Sequence, residues 1–227
     1  MMEDGFVIAI DGPAGAGKST ISRLLAKRLG ITYLDTGAMY RAVALAAKRK
    51  NMDMDDRTGL GALCRSLDLY FDTTKDPPRL LLGEEDITGL IRTPEMDMLA
   101  SRVSAIKEVR EAMTQLQRKM ARQAKRMVAE GRDMGTVVFP DARFKFFLTA
   151  SLAERAKRRY RERIDRGERV EESTVQQEIK LRDEQDQNRS LAPLKPAQDA
   201  VIIDTTDLSV DQVLERISQE ISMTNTS

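Results

Sequence analysis

A short apolar run that ends in glycines decides what architecture this chain can adopt. Phe6 to Ile10 (FVIAI) are apolar and rich in branched side chains, and they lead through Asp11 straight into GPAGAGKS. A buried strand ending in a tight turn reads this way. The turn completes the pattern G-x-x-x-x-G-K-[ST] with Gly12, Gly17, Lys18 and Ser19, and Gly15 adds a further glycine. Glycines let successive backbone N–H groups turn inward around phosphate oxygens, Lys18 supplies a mobile cation, and the Ser19 hydroxyl can ligate Mg²⁺. From Lys18 onward Ile21, Leu24, Leu25 and Leu29 recur at helical spacing, and Gly30 follows as a C-terminal cap. The free N–H groups and dipole of that helix add to phosphate binding. A turn that merely joins strand to helix would not need the complete motif in this setting, so a nucleoside triphosphate site is the inference.

Composition limits the chemistry that can follow. The 227 residues suffice for one domain with an insertion or lid. Lys+Arg 37 against Asp+Glu 36 leaves a net charge of +1, so no global field draws the protein to nucleic acid or membrane, and any electropositive site must be local. The chain has no histidine, which removes His-based triads, His general bases and most zinc sites. Phosphoryl transfer survives that exclusion because it relies on positioning and charge neutralisation by Lys, Arg and Mg²⁺. The single cysteine, Cys64, has no internal disulfide partner, and its apolar helical context suits burial. With no visible signal peptide or spanning segment, a reducing cytoplasm is the expected setting.

The remaining chain alternates strands and helices. A second strand is expected over Ile31–Leu34, a helix over Ala38–Lys50 with Tyr40 and Arg41 in its first turn, a third strand at Met127–Ala129, a fourth at Phe144–Leu148 and a fifth at Val201–Ile203, before a closing helix over Leu208–Ile221. Arg41 reads either as a ligand for a second anion or as a solvated charge. Between about 65 and 92, alternation at Leu67, Leu69 and Phe71, a turn-rich break over Asp72–Pro78 and an apolar run at Leu80–Leu82 predict an inserted antiparallel hairpin. Glu84, Glu85 and Asp86 read as a solvated turn in preference to a metal site. Val103, Ile106, Val109, Met113, Leu116 and Met120 predict one long helix with a buried stripe. Glu130, just past the strand at Met127–Ala129, lies where parallel sheets bind ligands and is a candidate to hold Mg²⁺.

Ser151 should cap a helix crowded with Arg155, Lys157, Arg158, Arg159, Arg161, Arg163, Arg166 and Arg169. It reads as a solvated helix, a nucleic-acid patch or a mobile lid over triphosphate. With Tyr160 as the one interleaved aromatic, stacking on single strands is disfavoured, and the phosphate loop favours the lid. Another helix, about Thr174–Gln185, leads to Asn188-Arg189-Ser190, and the polar tail after Ser222 should fray. The fold class expected is α/β: a P-loop NTPase fold with a five-stranded parallel sheet, helices on both faces, a monophosphate-binding insertion and a lid.

The chain also resembles bacterial cytidylate kinases within the nucleoside monophosphate kinase family. The resemblance runs from about Val7 to Ile221 and rests on DGPAGAGKST (Asp11–Thr20), LDTGAMYR (Leu34–Arg41), IRTPE (Ile91–Glu95), EGRDMGTVVFPDA (Glu130–Ala142), ERAKRR (Glu154–Arg159) and the segment from Arg182 to Leu194. It implies ATP bound by Gly12, Pro13, Ala14, Gly15, Ala16, Gly17, Lys18, Ser19 and Thr20, with Mg²⁺ at Ser19 and Glu130, directly or through water. Thr36, Arg41, Arg132 and Arg182 would hold the acceptor's phosphate; Ser101, Arg110 and Asp133 would read cytosine; Asp186 and Arg189 would bind the sugar. Arg155 and Arg159 would act from the lid, joining Lys18, Arg132 and Arg182 as the catalytic cations. It further implies a core of about 1–34, 127–150 and 190–227, a monophosphate-binding region of about 35–126, a lid of about 151–189, and a cytoplasmic monomer with small-molecule partners alone: CMP, dCMP and ATP. A sibling kinase would lack the Ser101, Arg110 and Asp133 set; a nucleotide-switched RNA-binding module would show steep salt dependence and no turnover.

Overall fold

The computed structural model describes residues 5–223; the polar tail, from residue 224 on, lies outside them. Strand β1 (Phe6–Asp11) sits at the centre of a five-stranded sheet with β2 (Thr32–Asp35), β6 (Arg126–Gly131), β7 (Phe144–Thr149) and β8 (Val201–Asp204), in the order β2-β6-β1-β7-β8. Every pairing is parallel, with Ile8 opposite both Val128 and Phe144. A parallel sheet buries both faces, which is why these strands read as apolar runs. Ile8, Ile10, Val128 and Phe146 face α1 (Lys18–Leu29) and α8 (Val210–Met223), meeting Leu25 and Ile217. Ala9, Met127 and Ala129 face the other way, onto α2 (Thr36–Arg49), α3 (Arg57–Ser66) and α5 (Lys107–Ala124). All five expected strands are present, four of them extended by one to three residues and the second shifted by one, from Ile31–Leu34 to Thr32–Asp35.

The insertion departs from expectation in two respects. It is three-stranded, because β3 (Leu69–Asp72) and β4 (Arg79–Leu82) are joined by a short β5 (Glu85–Asp86). The acidic turn therefore ends in a strand, where Glu85 pairs with Arg49 and Asp86 with Arg79, both exposed. The single long helix is two: α4 (Pro94–Ser104), capped by Thr93, and α5. Ile106 is extended, with ψ 126, and breaks the helix. Its side chain packs on the same core as Val103 and Val109, so the apolar spacing runs unbroken across a change in backbone direction.

Helices α6 (Leu152–Asp165) and α7 (Glu172–Asn188) lie against each other and share a small core of Ala156, Val175 and Ile179, flanked by Leu152, Tyr160 and Val170 and separate from the two clusters on the sheet. Among the described residues, no helix is long and apolar enough to cross a membrane.

Candidate active site

Three strand ends meet at one point: β1 stops at Asp11, β2 at Asp35 opposite Glu130, and β6 at Gly131. The phosphate loop leaves β1 here. Gly12 has φ +148, and a Cβ there would lie 2.0 Å from the Leu148 carbonyl oxygen, so only glycine lets the loop press against β7. Gly15 and Gly17 also hold positive φ, and a Cβ on Gly15 would meet the Cβ of Arg155 at 2.9 Å, which fixes how closely α6 lies on the loop. Pro13, Ala14 and Ala16 complete the turn, and Lys18, Ser19 and Thr20 begin α1.

Lys18 is buried, and its Nζ donates to the Pro13 carbonyl at 2.7 Å, curling over the loop. Burial, and then the charge of Arg132, push its ammonium well below the ordinary lysine value. Ser19 Oγ donates to Glu130 Oε2 at 3.0 Å, while the Tyr33 hydroxyl donates to Oε1. Burial and the neighbouring Asp35 raise Glu130, and a hard cation would relieve such a carboxylate. A hydroxyl and a carboxylate are the oxygen donors Mg²⁺ takes, so this pair fits that ion. Among the described residues no group of three or more His, Cys, Asp or Glu gathers as a metal cage, so further ligands would be phosphate oxygens and water.

Beside the loop stands a cluster of arginines. Arg132 Nε donates to Asp186 Oδ2 at 2.7 Å, Arg41 Nε to Asp97 Oδ1 at 2.8 Å, and Arg182 Nη1 lies 3.5 Å from the same Asp97 oxygen. Burial, and then Arg132 close by, push Arg182 down to about 10. Burial and the neighbouring guanidinium act in the same direction there, against Asp97 and Asp186, which favour the charged form. Arg41 Nη1 and Arg182 Nε are buried without a hydrogen-bond partner. Arg159 reaches the cluster from α6, hydrogen-bonded to Asp97 Oδ2. Thr36 stands at its edge, but its hydroxyl proton is committed to the Glu130 carbonyl at 2.6 Å, leaving oxygen lone pairs alone to offer.

On the far side of the cluster Arg110 Nη2 is hydrogen-bonded to Asp133 Oδ2, its Nη1 donates to the Ser104 carbonyl at 3.1 Å, and its guanidinium lies 5.7 Å from the Tyr40 ring centroid. Asp133 is held by the turn that follows it: Asp11, at the end of β1, accepts from the Met134 and Gly135 amides at 2.8 Å each, anchoring a single π-helical turn over Met134–Val138. Burial raises Asp11 to about 6 in spite of those amides. Arg189 Nη1 donates to Ser104 Oγ at 3.1 Å, and its Nη2 sits 3.8 Å from Asp186 Oδ1, with Nε and Nη2 free of hydrogen-bond partners. Ser101 Oγ donates to Gln185 Oε1 at 3.1 Å, tying α4 to α7.

Of the α6 arginines, Arg155 donates from Nη1 to the Ala14 carbonyl of the phosphate loop at 3.1 Å and to Asp183 at 2.5 Å. Arg158 turns aside to Thr205, and Arg163 pairs with Glu168 and Glu178. These contacts place Arg41, Arg132, Arg155, Arg159, Arg182, Asp186 and Arg189 in a set of polar pairs beside the phosphate loop. Sequence reading missed Asp97, Asp183, Tyr33 and the Asp35–Arg92 pair at 2.8 Å. Asp97 follows IRTPE by two positions in a helix first turn, where an acid looks like a partner of the helix dipole, so nothing local marked it.

A phosphate loop facing a cluster of arginines on a parallel five-stranded sheet is the arrangement of a P-loop phosphotransferase of the nucleoside monophosphate kinase class. Residues 8–223 match the sequence profile of the cytidylate kinase family, and the chain belongs to that family. It is 52% identical over 214 residues, 94% of this chain and 91% of the relative, to a cytidylate kinase of Citrifermentans bemidjiense. It is 48% identical over 231 residues, 99% and 100%, to a cytidylate kinase of a Shewanella species. In fold it is similar to the crystal structure of a shikimate kinase from Bacteroides thetaiotaomicron, with TM-score 0.50, 12% identity, and 96% and 98% of the two chains covered.

Proposed function

We propose that the arginine cluster is the acceptor-phosphate site of an enzyme that transfers the γ-phosphoryl of ATP to CMP or dCMP, giving ADP and CDP or dCDP. The observation that carries it is the convergence of Arg41, Arg132 and Arg182 beside the phosphate loop, with Arg41 Nη1 and Arg182 Nε buried and without hydrogen-bond partners. A dianion is what such a cavity lacks. Arg41, Arg132 and Arg182 bind the acceptor's phosphate, and Thr36 closes the edge. An oxygen of that phosphate attacks the γ-phosphorus while the bond to the β,γ-bridging oxygen breaks, and ADP leaves with the electron pair. No protein base is needed, because the acceptor oxygen is already ionised at neutral pH. The loop from Gly12 to Thr20 holds the donor phosphates, and Lys18 leaves Pro13 to meet them. Ser19 and Glu130 would hold Mg²⁺, which when bound neutralises charge on the donor phosphates.

Asp133 and Arg110 read the base, joined by Ser101. An ionised carboxylate only accepts and a guanidinium only donates, so Asp133 suits the N4 amino group of cytosine and Arg110 its N3 or O2. Asp186 and Arg189 bind the sugar. Helices α6 and α7 form the lid: their separate core and largely polar seams to the rest support motion as a unit, with Arg155 and Arg159 closing on the transferring phosphoryl and excluding water. Residues 1–34, 127–150 and 190–227 are the core, and 35–126 the monophosphate-binding region. We place the enzyme in the cytoplasm as a monomer working in pyrimidine nucleotide metabolism. A coupled assay of ADP release with CMP, dCMP, UMP and AMP tests the reading. Turnover should be far higher with the two cytosine nucleotides, and equal turnover with UMP would refute the base assignment.

A further inference from the structure

Arg41 from α2, Arg159 from α6 and Arg182 from α7 converge on one carboxylate, Asp97, in the first turn of α4. Both Asp97 oxygens are engaged, and the side chain is 16% exposed. The two arginines nearest its Oδ1 each keep one buried, unpartnered nitrogen, Arg41 Nη1 and Arg182 Nε. A guanidinium grips phosphate best through two parallel N–H groups, and Arg41 has already given Nε to Asp97. A phosphate that drew on both edges of Arg41 would have to take that N–H from the carboxylate. Staying in place would set two anions side by side in a water-poor cradle, and like charges so juxtaposed are strongly disfavoured.

We propose that Asp97 is a resident stand-in for the acceptor's phosphate: its carboxylate occupies the arginine cradle until the nucleotide arrives, and acceptor binding must displace it. The inference rests on the assignment of Arg41 and Arg182 to the acceptor phosphate. Two consequences follow. In the unliganded protein Asp97 keeps three arginines from repelling one another, and through Arg159 it ties α6 to α4 across the cleft. On binding, it weakens the site for every phosphate that enters, so it sets acceptor affinity as a positioning residue that acts through the arginines.

The test is calorimetric titration of inorganic phosphate, and separately CMP, into the full chain as wild type, Asp97→Asn, Asp97→Ser, Asp97→Glu and Arg41→Ala. The neutral variants should bind inorganic phosphate about tenfold more tightly and lower KM for CMP by a similar factor, with a smaller change in kcat. Asp97→Glu, which retains the charge, should stay close to wild type. In phosphate-free buffer the neutral variants should melt below wild type, and added phosphate should raise their midpoints more. Either neutral variant that folds decides the matter. Equal or weaker phosphate binding overturns the proposal, since the carboxylate would then be orienting the arginines for the ligand. Arg41→Ala reports on the underlying assignment: wild-type phosphate affinity there would remove the acceptor site itself, whatever the Asp97 variants do.

Discussion

The phosphate loop is made from one unbroken stretch, Gly12 to Ser19, and is held by main chain; the arginine cluster draws on α2, α4, the residue just past β6, α6 and α7 and is held by side-chain charge. In the first region geometry is set by where a Cβ cannot go, as at Gly12 against the Leu148 carbonyl. In the second it is set by ion pairs between residues far apart in sequence, such as Arg41 with Asp97 and Arg132 with Asp186. The difference suits the two ligands. On the proposed assignment the donor's phosphates would be gripped by amides that need no counter-ion, whereas a cradle of buried guanidinium groups must be neutralised by something whenever it is empty. Preorganisation by backbone costs no charge, and preorganisation by arginine requires carboxylates nearby.

The largest expected effect breaks the donor side. Lys18→Ala should lower turnover by roughly a thousandfold or more, since a cation aimed at developing phosphoryl charge in a water-poor site is removed. Circular dichroism and the melting midpoint should stay close to wild type, because the Lys18 ammonium donates to the Pro13 carbonyl of its own loop and ties no other element among the described residues. Near wild-type turnover would show that this end of the cleft does not carry the chemistry.

The next effect tests the seam between the regions, where Arg155 touches the Ala14 carbonyl and Arg159 touches Asp97. Changing both to Ala should cut kcat by between about a hundredfold and a thousandfold while ATP affinity falls less, because the contacts proposed for these two arginines with the transferring phosphoryl group would form mainly on closure. A parallel loss in ATP affinity would mean that they hold the ground state instead. On the acceptor side alone, Asp133→Ala should lower kcat/KM for CMP by about a hundredfold and for UMP much less, so that the ratio of the two collapses. If both fall together, Asp133 supports the arginine cluster and does not read the base.

That contrast also governs what was legible beforehand. The phosphate loop could be read in full because eight consecutive residues carry both its geometry and its chemistry. The five strands were legible for a related reason, since burial on both faces writes each one as a local apolar run. Helix α4 was hidden because Ile106 turns the backbone without leaving the apolar stripe. Arg110, Asp133, Arg182 and Arg189 could be assigned only through resemblance to a family, as no spacing rule connects residues on different elements. Asp97 escaped even that, its partners being 56, 62 and 85 positions away by residue number. Charge balance in a buried cluster is a property of three dimensions.

The smallest effect sharpens the comparison by titrating one side of it. Burial alone would raise the Asp97 carboxyl, but Arg41, Arg182 and Arg159 outweigh burial and hold it well below the usual carboxylate range. A group whose folded-state pKa is depressed adds stability that is fully present above its unfolded value, about 4, and lost as pH falls below that toward the folded value. Asp97→Asn cannot titrate there. The free energy of urea unfolding in phosphate-free buffer should therefore favour wild type over Asp97→Asn by about 1–2 kcal/mol at pH 6 to 7, discounted for partial screening. That gap should narrow steadily as pH falls from about 4 to 3. Phosphate should narrow it as well at pH 7, because the anion supplies what the variant lacks. Lys18→Ala, measured the same way, should show no such dependence on phosphate-free pH between 3 and 4. A gap that stays constant down to pH 3 would mean that Asp97 contributes shape and not charge, and the cradle would then be held, like the loop, by packing.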